Sequence, residues 1–164
     1  MFGFLKKKAK NTSVELEAIA NGQLVALESV SDPVFSQKMM GDGFAIEPED
    51  GAIYAPVNGT VTTVFPTQHA IGIESDEGLE ILLHLGFNTV DLDGKPFTSQ
   101  VAAGDQIQAG QVLTQMDLDA VRQAGADTTC VVVLTQADQV ESLEVADPKA
   151  VKAGDKVAQV TLKG

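Results

Sequence analysis

The chain has one cysteine, no tryptophan, one tyrosine and two histidines in 164 residues. A single cysteine excludes an internal disulfide and a cysteine-rich zinc site. Cys130 lies in the apolar, β-branched run "TTCVVVLT" and reads as a small buried hydrophobe. No stretch approaches the roughly 18 consecutive apolar residues that suggest a membrane-spanning helix. Met1–Leu5 is apolar, but Lys6–Lys8 follows at once, the wrong order for a secretory signal. The expectation is therefore a cytoplasmic protein. The chain reads as free-standing, with an excised domain of a larger transporter as the alternative.

Positive charge is also scarce. Eleven basic residues face 23 acidic ones, for a net charge of −12. Four of the eleven are Lys6, Lys7, Lys8 and Lys10, and no acid precedes residue 11. The rest of the chain is thus more acidic still and repels phosphate backbones, which excludes nucleic acid as a partner. Residues 1–13 are expected to form a flexible tail. Its apolar start followed by lysines also suits weak contact with anionic lipid. Residues 14–164 are long enough for one domain with a substantial core.

Period-two alternation and β-branched clusters dominate that domain. The pattern predicts strands at 14–20, 23–30, 44–47, 60–65, 70–74, 79–85, 111–115, 129–134 and 157–161. Turn chemistry separates them, as in "NGQ", "GDG", "EDG", "VNG" and "DLDG". The fold class is all-β: an antiparallel sandwich or partly closed barrel with at most short helices. One helix is predicted after Asp117, with Leu118 and Val121 on one face and Gly125 at its end. Two internal echoes point to duplicated hairpin units. "VAAGDQI" at 101–107 matches "VKAGDKV" at 151–157, and "ANGQLVAL" at 20–27 resembles "VNGTVTTV" at 57–64.

The histidines carry the chemistry. His84 stands in "GLEILLHLGFNTV", otherwise nearly all apolar, and His69 in "FPTQHAIGIES". A hairpin through "SDEG" at 75–78 joins the two segments. A loop symmetric about the Asp76–Glu77 bond pairs His69 with His84 on one face. A turn with Gly78 in a bulge shifts the register by one and predicts opposite faces. A facing pair admits three readings. A metal site needs further ligands, and the chain has no His-x-His or His-Glu-x-x-His. Acid–base catalysis lacks an accompanying nucleophile or carboxylate motif. A nucleophilic imidazole can accept a phosphoryl group, with the second imidazole supporting its oxygens.

The residues Gly78, Ile81–Leu83, His84, Leu85, Gly86, Phe87, Asn88 and Thr89 resemble the phosphorylation signature of the glucose-type enzyme IIA domain of the bacterial sugar phosphotransferase system. "SDPVFSQKMMGDGFAIEPEDG" and "APVNGTV" are similar to further family segments, so the likeness spans nearly the whole chain. It implies that His84 takes a phosphoryl group from the carrier protein HPr and passes it to a cysteine of a sugar-specific enzyme IIB domain. By the same likeness His69 and Thr67 support the phosphoryl group. Asp32, Phe35, Met39, Met40, Phe65, Leu82, Gly86 and Asn88 match the rim that docks partners. Asn88 departs from the family, which often has Asp there. No cofactor is required, and zinc is expected only at a partner interface, on His69 and His84 plus a partner's carboxylate. Regulated transporters or enzymes are further expected partners. The alternative functions are a regulatory binding protein using the pair as a docking site, and a zinc hydrolase on a similar scaffold.

Overall fold

The computed structural model describes residues 12–164, so the tail expected over 1–13, with its lipid contact, lies almost wholly outside the described residues. Strand β1 spans Ser13–Glu17, and Leu162 N–H donates to the Thr12 carbonyl at 2.8 Å.

Three antiparallel sheets build the fold, and it is not a closed barrel. The largest has eight strands in the order β13 (Lys149–Val151), β2 (Gly22–Ala26), β3 (Asp42–Pro48), β11 (Asp127–Leu134), β7 (Glu80–Phe87), β6 (Ala70–Ser75), β5 (Gly59–Val64) and β9 (Gln106–Ile107). Strand β1 pairs with β14 (Lys156–Leu162), which also pairs with β12 (Val140–Val145). A third sheet joins β4 (Ala52–Tyr54), β10 (Val112–Met116) and β8 (Phe97–Ser99). All nine sequence-predicted strands form, with ends shifted by a few residues. The short β4, β8, β9 and β13, and the glutamate-rich β12, were not predicted.

The large sheet reads as two equivalent halves, β13-β2-β3-β11 and β9-β5-β6-β7. The sequence echoes are the joints of this duplication. Asp105 N–H donates to the Ala102 carbonyl at 3.1 Å, and its Oδ2 accepts from Ala102 N–H at 2.9 Å. Asp155 makes the same two bonds with Lys152, at 3.0 and 2.9 Å. Asn21 Oδ1 accepts from Ala153 N–H at 2.9 Å, and Asn58 Oδ1 from Ala109 N–H at 2.8 Å. An Asx side chain thus closes each turn, which is why Asn and Asp recur at these places.

Strand alternation sends one face of the large sheet into the main core, through residues such as Leu24, Phe44, Ile46, Ile81, Leu83, Leu85 and Val132. The other face carries a smaller cluster of Leu27, Phe35, Ala45, Phe87, Val131 and Val133, with Leu82 packed against it. Two short elements cover that second face. One is a 3₁₀ turn at Leu27–Ser29, and the other is helix α1 (Pro33–Ser36). Helix α1 forms because Asp32 accepts from Val34 N–H at 2.9 Å and Pro33 sits at its first position. The predicted helix is α2 (Leu118–Gln123), capped by Asp117, which accepts from Ala120 N–H at 3.0 Å; Leu118 and Val121 are buried. The connection covering the sheet, Leu27–Gly41, belongs to one half only. Its counterpart in the other half is the tight loop Phe65–His69. One half of the second face is therefore covered by the chain itself, and His84 stands beside that cover.

Candidate functional site

Strand β7 explains the imidazole in an apolar run. Ile81, Leu83 and Leu85 enter the main core, while Leu82 and His84 point to the second face. Both faces of the strand are packed, so the run is apolar throughout and His84 is still only partly buried.

The register is the bulged one. Gly78 N–H donates to the Ser75 carbonyl at 2.9 Å with Gly78 at φ +96°, and His84 lies opposite Ala70. The direct pairing of His69 with His84 is thus not formed. The expectation that this register separates the two faces also fails. The imidazoles meet edge to face, with ring centres 5.0 Å apart and planes at 82°. His69 precedes the first residue of β6, so strand alternation does not govern it. Gln68, in the left-handed region at φ +60°, redirects the chain just before it. Leu85 N–H still holds the His69 carbonyl at 2.7 Å. The Gln68 side chain accepts from Ser99 N–H at 3.1 Å and ties the loop to β8.

Thr67 meets His69: its hydroxyl is 2.5 Å from Nδ1. Phe65 packs edge-on against the His69 ring at 5.6 Å. Phe35 packs on His84 at 4.8 Å and stacks on Phe87 at 5.7 Å. His84 Nδ1 is sealed from solvent, and no group meets hydrogen-bond geometry with it. Burial pushes the His84 pKa down to about 4, and the neighbouring His69 adds to this. The Gly86 backbone and the Asp32 carboxylate oppose it. Burial also lowers His69. Both rings are therefore neutral at pH 7, with lone pairs available.

The rim residues divide. Met39 is 69% exposed, Met40 41% and Phe65 38%. Phe35, expected beside them, is buried at 5%; its aromatic ring fills the space between His84 and Phe87 and faces no solvent. Gly86 is buried too and so is backbone support, not docking surface. Leu82 is half-buried, Asp32 half-buried at the α1 cap, and Asn88 exposed. Asn88 adopts the left-handed conformation at φ +64°, which Asn and Asp both tolerate, so its side-chain amide suits the turn without a charge. Val34 and Val90, 40% and 46% exposed, were missed. The signal was present for Val90, a lone apolar residue in the polar stretch "NTVD"; Val34 stands beside the apolar Phe35 in "DPVF".

Among the described residues no three His, Cys, Asp or Glu side chains gather into a metal-binding group. The pair alone offers two nitrogen ligands, one or two short of a zinc site. Among the described residues no helix is long and apolar enough to cross a membrane.

The profile of one family, the phosphoenolpyruvate-dependent sugar phosphotransferase system, EIIA 1, matches residues 14–140. The chain is 51% identical over 93% of its length to a PTS system glucose-specific EIICBA component of Streptococcus pneumoniae, of which it spans only 21%. It is 44% identical to a PTS system glucose-specific EIIA component of Halalkalibacterium halodurans, covering 99% of this chain and 96% of that one. The solved structure of glucose permease IIA from Mycoplasma capricolum superposes with a TM-score of 0.85 at 38% identity, over 97% of this chain and 99% of the other.

Proposed function

This chain belongs to the phosphoenolpyruvate-dependent sugar phosphotransferase system EIIA 1 family, and on that premise we propose that it is a phosphocarrier in which His84 accepts a phosphoryl group from phospho-HPr and delivers it to a cysteine of an enzyme IIB domain. The observation that carries the reading is the pair of neutral imidazoles in edge-to-face contact at 5.0 Å. The nucleophilic atom is Nε2, because Nδ1 is sealed from solvent. A neutral ring is required, since protonated imidazole has no lone pair to give.

His69 supports the transferred group. The Thr67 hydroxyl contacts His69 Nδ1; in the tautomer this role calls for, the hydroxyl donates to Nδ1, and the His69 proton sits on Nε2, from which it is donated to a phosphoryl oxygen. Phe35 and Phe87 wall the far side of His84 and keep water from the N–P bond. Met39, Met40 and Phe65, with the newly found Val34 and Val90, supply exposed apolar surface to both partners. The carrier works in the cytoplasm and needs no resident cofactor. A zinc ion is held by the pair only where a partner contributes carboxylate ligands.

Incubation with phosphoenolpyruvate, enzyme I and HPr tests the reading. One phosphohistidine should map to His84. His84→Gln should take up no phosphate while keeping its fold. His69→Gln should still be labelled, with onward transfer to enzyme IIB slower by ~10²–10³-fold, the usual effect of losing one charge-stabilising donor. Normal labelling of His84→Gln overturns the assignment.

A further inference from the structure

His69 is held from three sides, and the third hold lies outside the histidine pair. Thr67 and His69 flank Gln68, and the Thr67 hydroxyl meets His69 Nδ1 across it. The His69 carbonyl accepts from Leu85 N–H at 2.7 Å, which ties it to β7 one residue past His84. Between these two holds the chain turns at Gln68, a half-buried residue in the left-handed region at φ +60°. Gln68 N–H closes the turn onto the Phe65 carbonyl at 2.7 Å. Left-handed backbone is unfavourable for a side chain of this type and persists only where the surroundings fix it.

The Phe65–His69 loop belongs to the large sheet, but what fixes Gln68 belongs to the small one. Gln68 Oε1 accepts from Ser99 N–H at 3.1 Å. Strand β8, which ends at Ser99, pairs on one side only, with β10. Gln100 N–H donates to the Leu113 carbonyl of β10 at 2.8 Å, so Ser99 N–H, one residue earlier, faces the free edge. There the Gln68 amide takes the place of a neighbouring strand. Its other end lies at the turn that leads into β8. A Cβ on Gly94 would stand 3.1 Å from Gln68 Nε2 and 3.5 Å from the Thr67 carbonyl oxygen. Gly94, itself left-handed at φ +79°, leaves the room that Thr67 and Gln68 use. The loop that carries His69 is thus seated in a notch between Gly94 and Ser99.

We propose that Gln68 is a positioning residue for phosphoryl transfer: anchored on the free edge of β8 and seated against Gly94, it keeps the loop turned so that the His69 ring stands edge-on to His84 and offers its Nε2–H to the phosphoryl group. The inference rests on the phosphocarrier reading given above. Gln68 acts through His69. In onward transfer a cysteine thiolate of enzyme IIB forms the S–P bond as the N–P bond at His84 Nε2 breaks, and the electron pair of that bond returns to the ring. His69 donates to a phosphoryl oxygen throughout. A loop released from β8 lets the His69 ring swing out of line, so the donor is misplaced for part of the time. His84 stands on β7 and keeps its place and its nucleophilic nitrogen.

The test compares the full wild-type chain with Gln68→Met, which keeps the length of the side chain and loses the amide, and with Gln68→Gly, which also relieves the left-handed backbone. Each is labelled with phospho-HPr and then mixed with enzyme IIB. Both variants should be labelled on His84 to completion. Onward kcat should fall by ~10-fold, less than the ~10²–10³-fold expected when the His69 donor is removed outright, with KM for enzyme IIB within about twofold of wild type. The ring ¹H–¹³C signals of His69 and His84, shifted by their edge-to-face contact, should move towards free-histidine values. Ser99→Pro removes the N–H that Gln68 accepts from, on an edge where proline is tolerated, and should give the same fall. In the Ser99→Pro background Gln68→Met should then cost nothing more. Should Gln68→Met fail to fold, Gln68→Gly reads the same loss of the anchor. Wild-type kcat and ring signals in either Gln68 variant, a loss carried by KM, or full additivity with Ser99→Pro overturns the positioning role. Failure of wild type itself to be labelled refutes the phosphocarrier reading, a different result.

Discussion

Acidification should destabilise this protein through His84 between pH 6.5 and 4. Its folded pKa is pushed down to about 4 from the ordinary 6.5, chiefly by burial and then by His69. Within that window the unfolded imidazole binds a proton that the folded one refuses. The unfolded state holds more protons, so unfolding free energy falls as pH falls, and the loss is complete below the folded pKa. A drop from 6.5 to about 4, at about 1.4 kcal/mol per unit, sets a ceiling of about 3.5 kcal/mol. Solvent reaches part of the ring, which brings the expected loss nearer ~2 kcal/mol. Against a typical total of about 5–15 kcal/mol this is easily measured. Urea unfolding of wild type and His84→Gln, followed by circular dichroism at pH 7.5, 6.5, 5.5 and 4.5, isolates the effect. Carboxylates and His69 titrate in both proteins and largely cancel in the difference. The gap should shift by about 2 kcal/mol in favour of the variant between pH 7.5 and 4.5. Parallel curves would refute the argument that burial sets the charge of this ring. The same depression has a functional face: acceptance from phospho-HPr should hold its rate down to about pH 5, where an ordinary histidine would already be mostly protonated.

Met39→Glu and Phe35→Ala should part company, because one side chain is 69% exposed and the other 5%. The first should leave stability within about 0.5 kcal/mol and slow transfer both from HPr and to enzyme IIB; the second should cost about 3–5 kcal/mol in urea unfolding. Equal losses of stability would show that the division of the rim is wrong. Gly86→Ala and Gly78→Ala form a second contrast. Both positions have left-handed φ, but a Cβ at 78 meets nothing within 4 Å, whereas at 86 it strikes the Asp127 carbonyl oxygen at 2.5 Å. Gly78→Ala should cost about 1 kcal/mol and keep phosphate uptake; Gly86→Ala should cost more than about 2 kcal/mol and abolish it. A mild Gly86→Ala would mean that the curl after β7 can relax.

Much of this protein is legible along the chain. Period-two alternation located nine of the strands, though not the glutamate-rich β12, because a strand between two packed layers must alternate or be apolar throughout. Asp117 and Gly125 marked a helix because unsatisfied backbone groups at helix ends need a cap. Repeated Asn-Gly and Ala-Gly-Asp stretches announced the duplication, since such turns need Asx side chains to close them. The resemblance around His84 pointed to the histidine pair. The contacts themselves were decided only in three dimensions. Strands of two or three residues, such as β4, β8 and β9, exist because neighbours are there to pair with. Phe35 reads like Met39 and Met40 in a polar loop, but capping by Asp32 turns it inward onto His84. The register prediction tied the meeting of the two histidines to direct pairing. The chain uses the other register and brings the rings together anyway, because His69 stands outside β6 after a left-handed Gln68. The low pKa of His84 belongs to the same level: it comes from the solvent that Phe35, Phe87 and His69 exclude, and desolvation is a property of the packed surroundings, which no local stretch of sequence encodes.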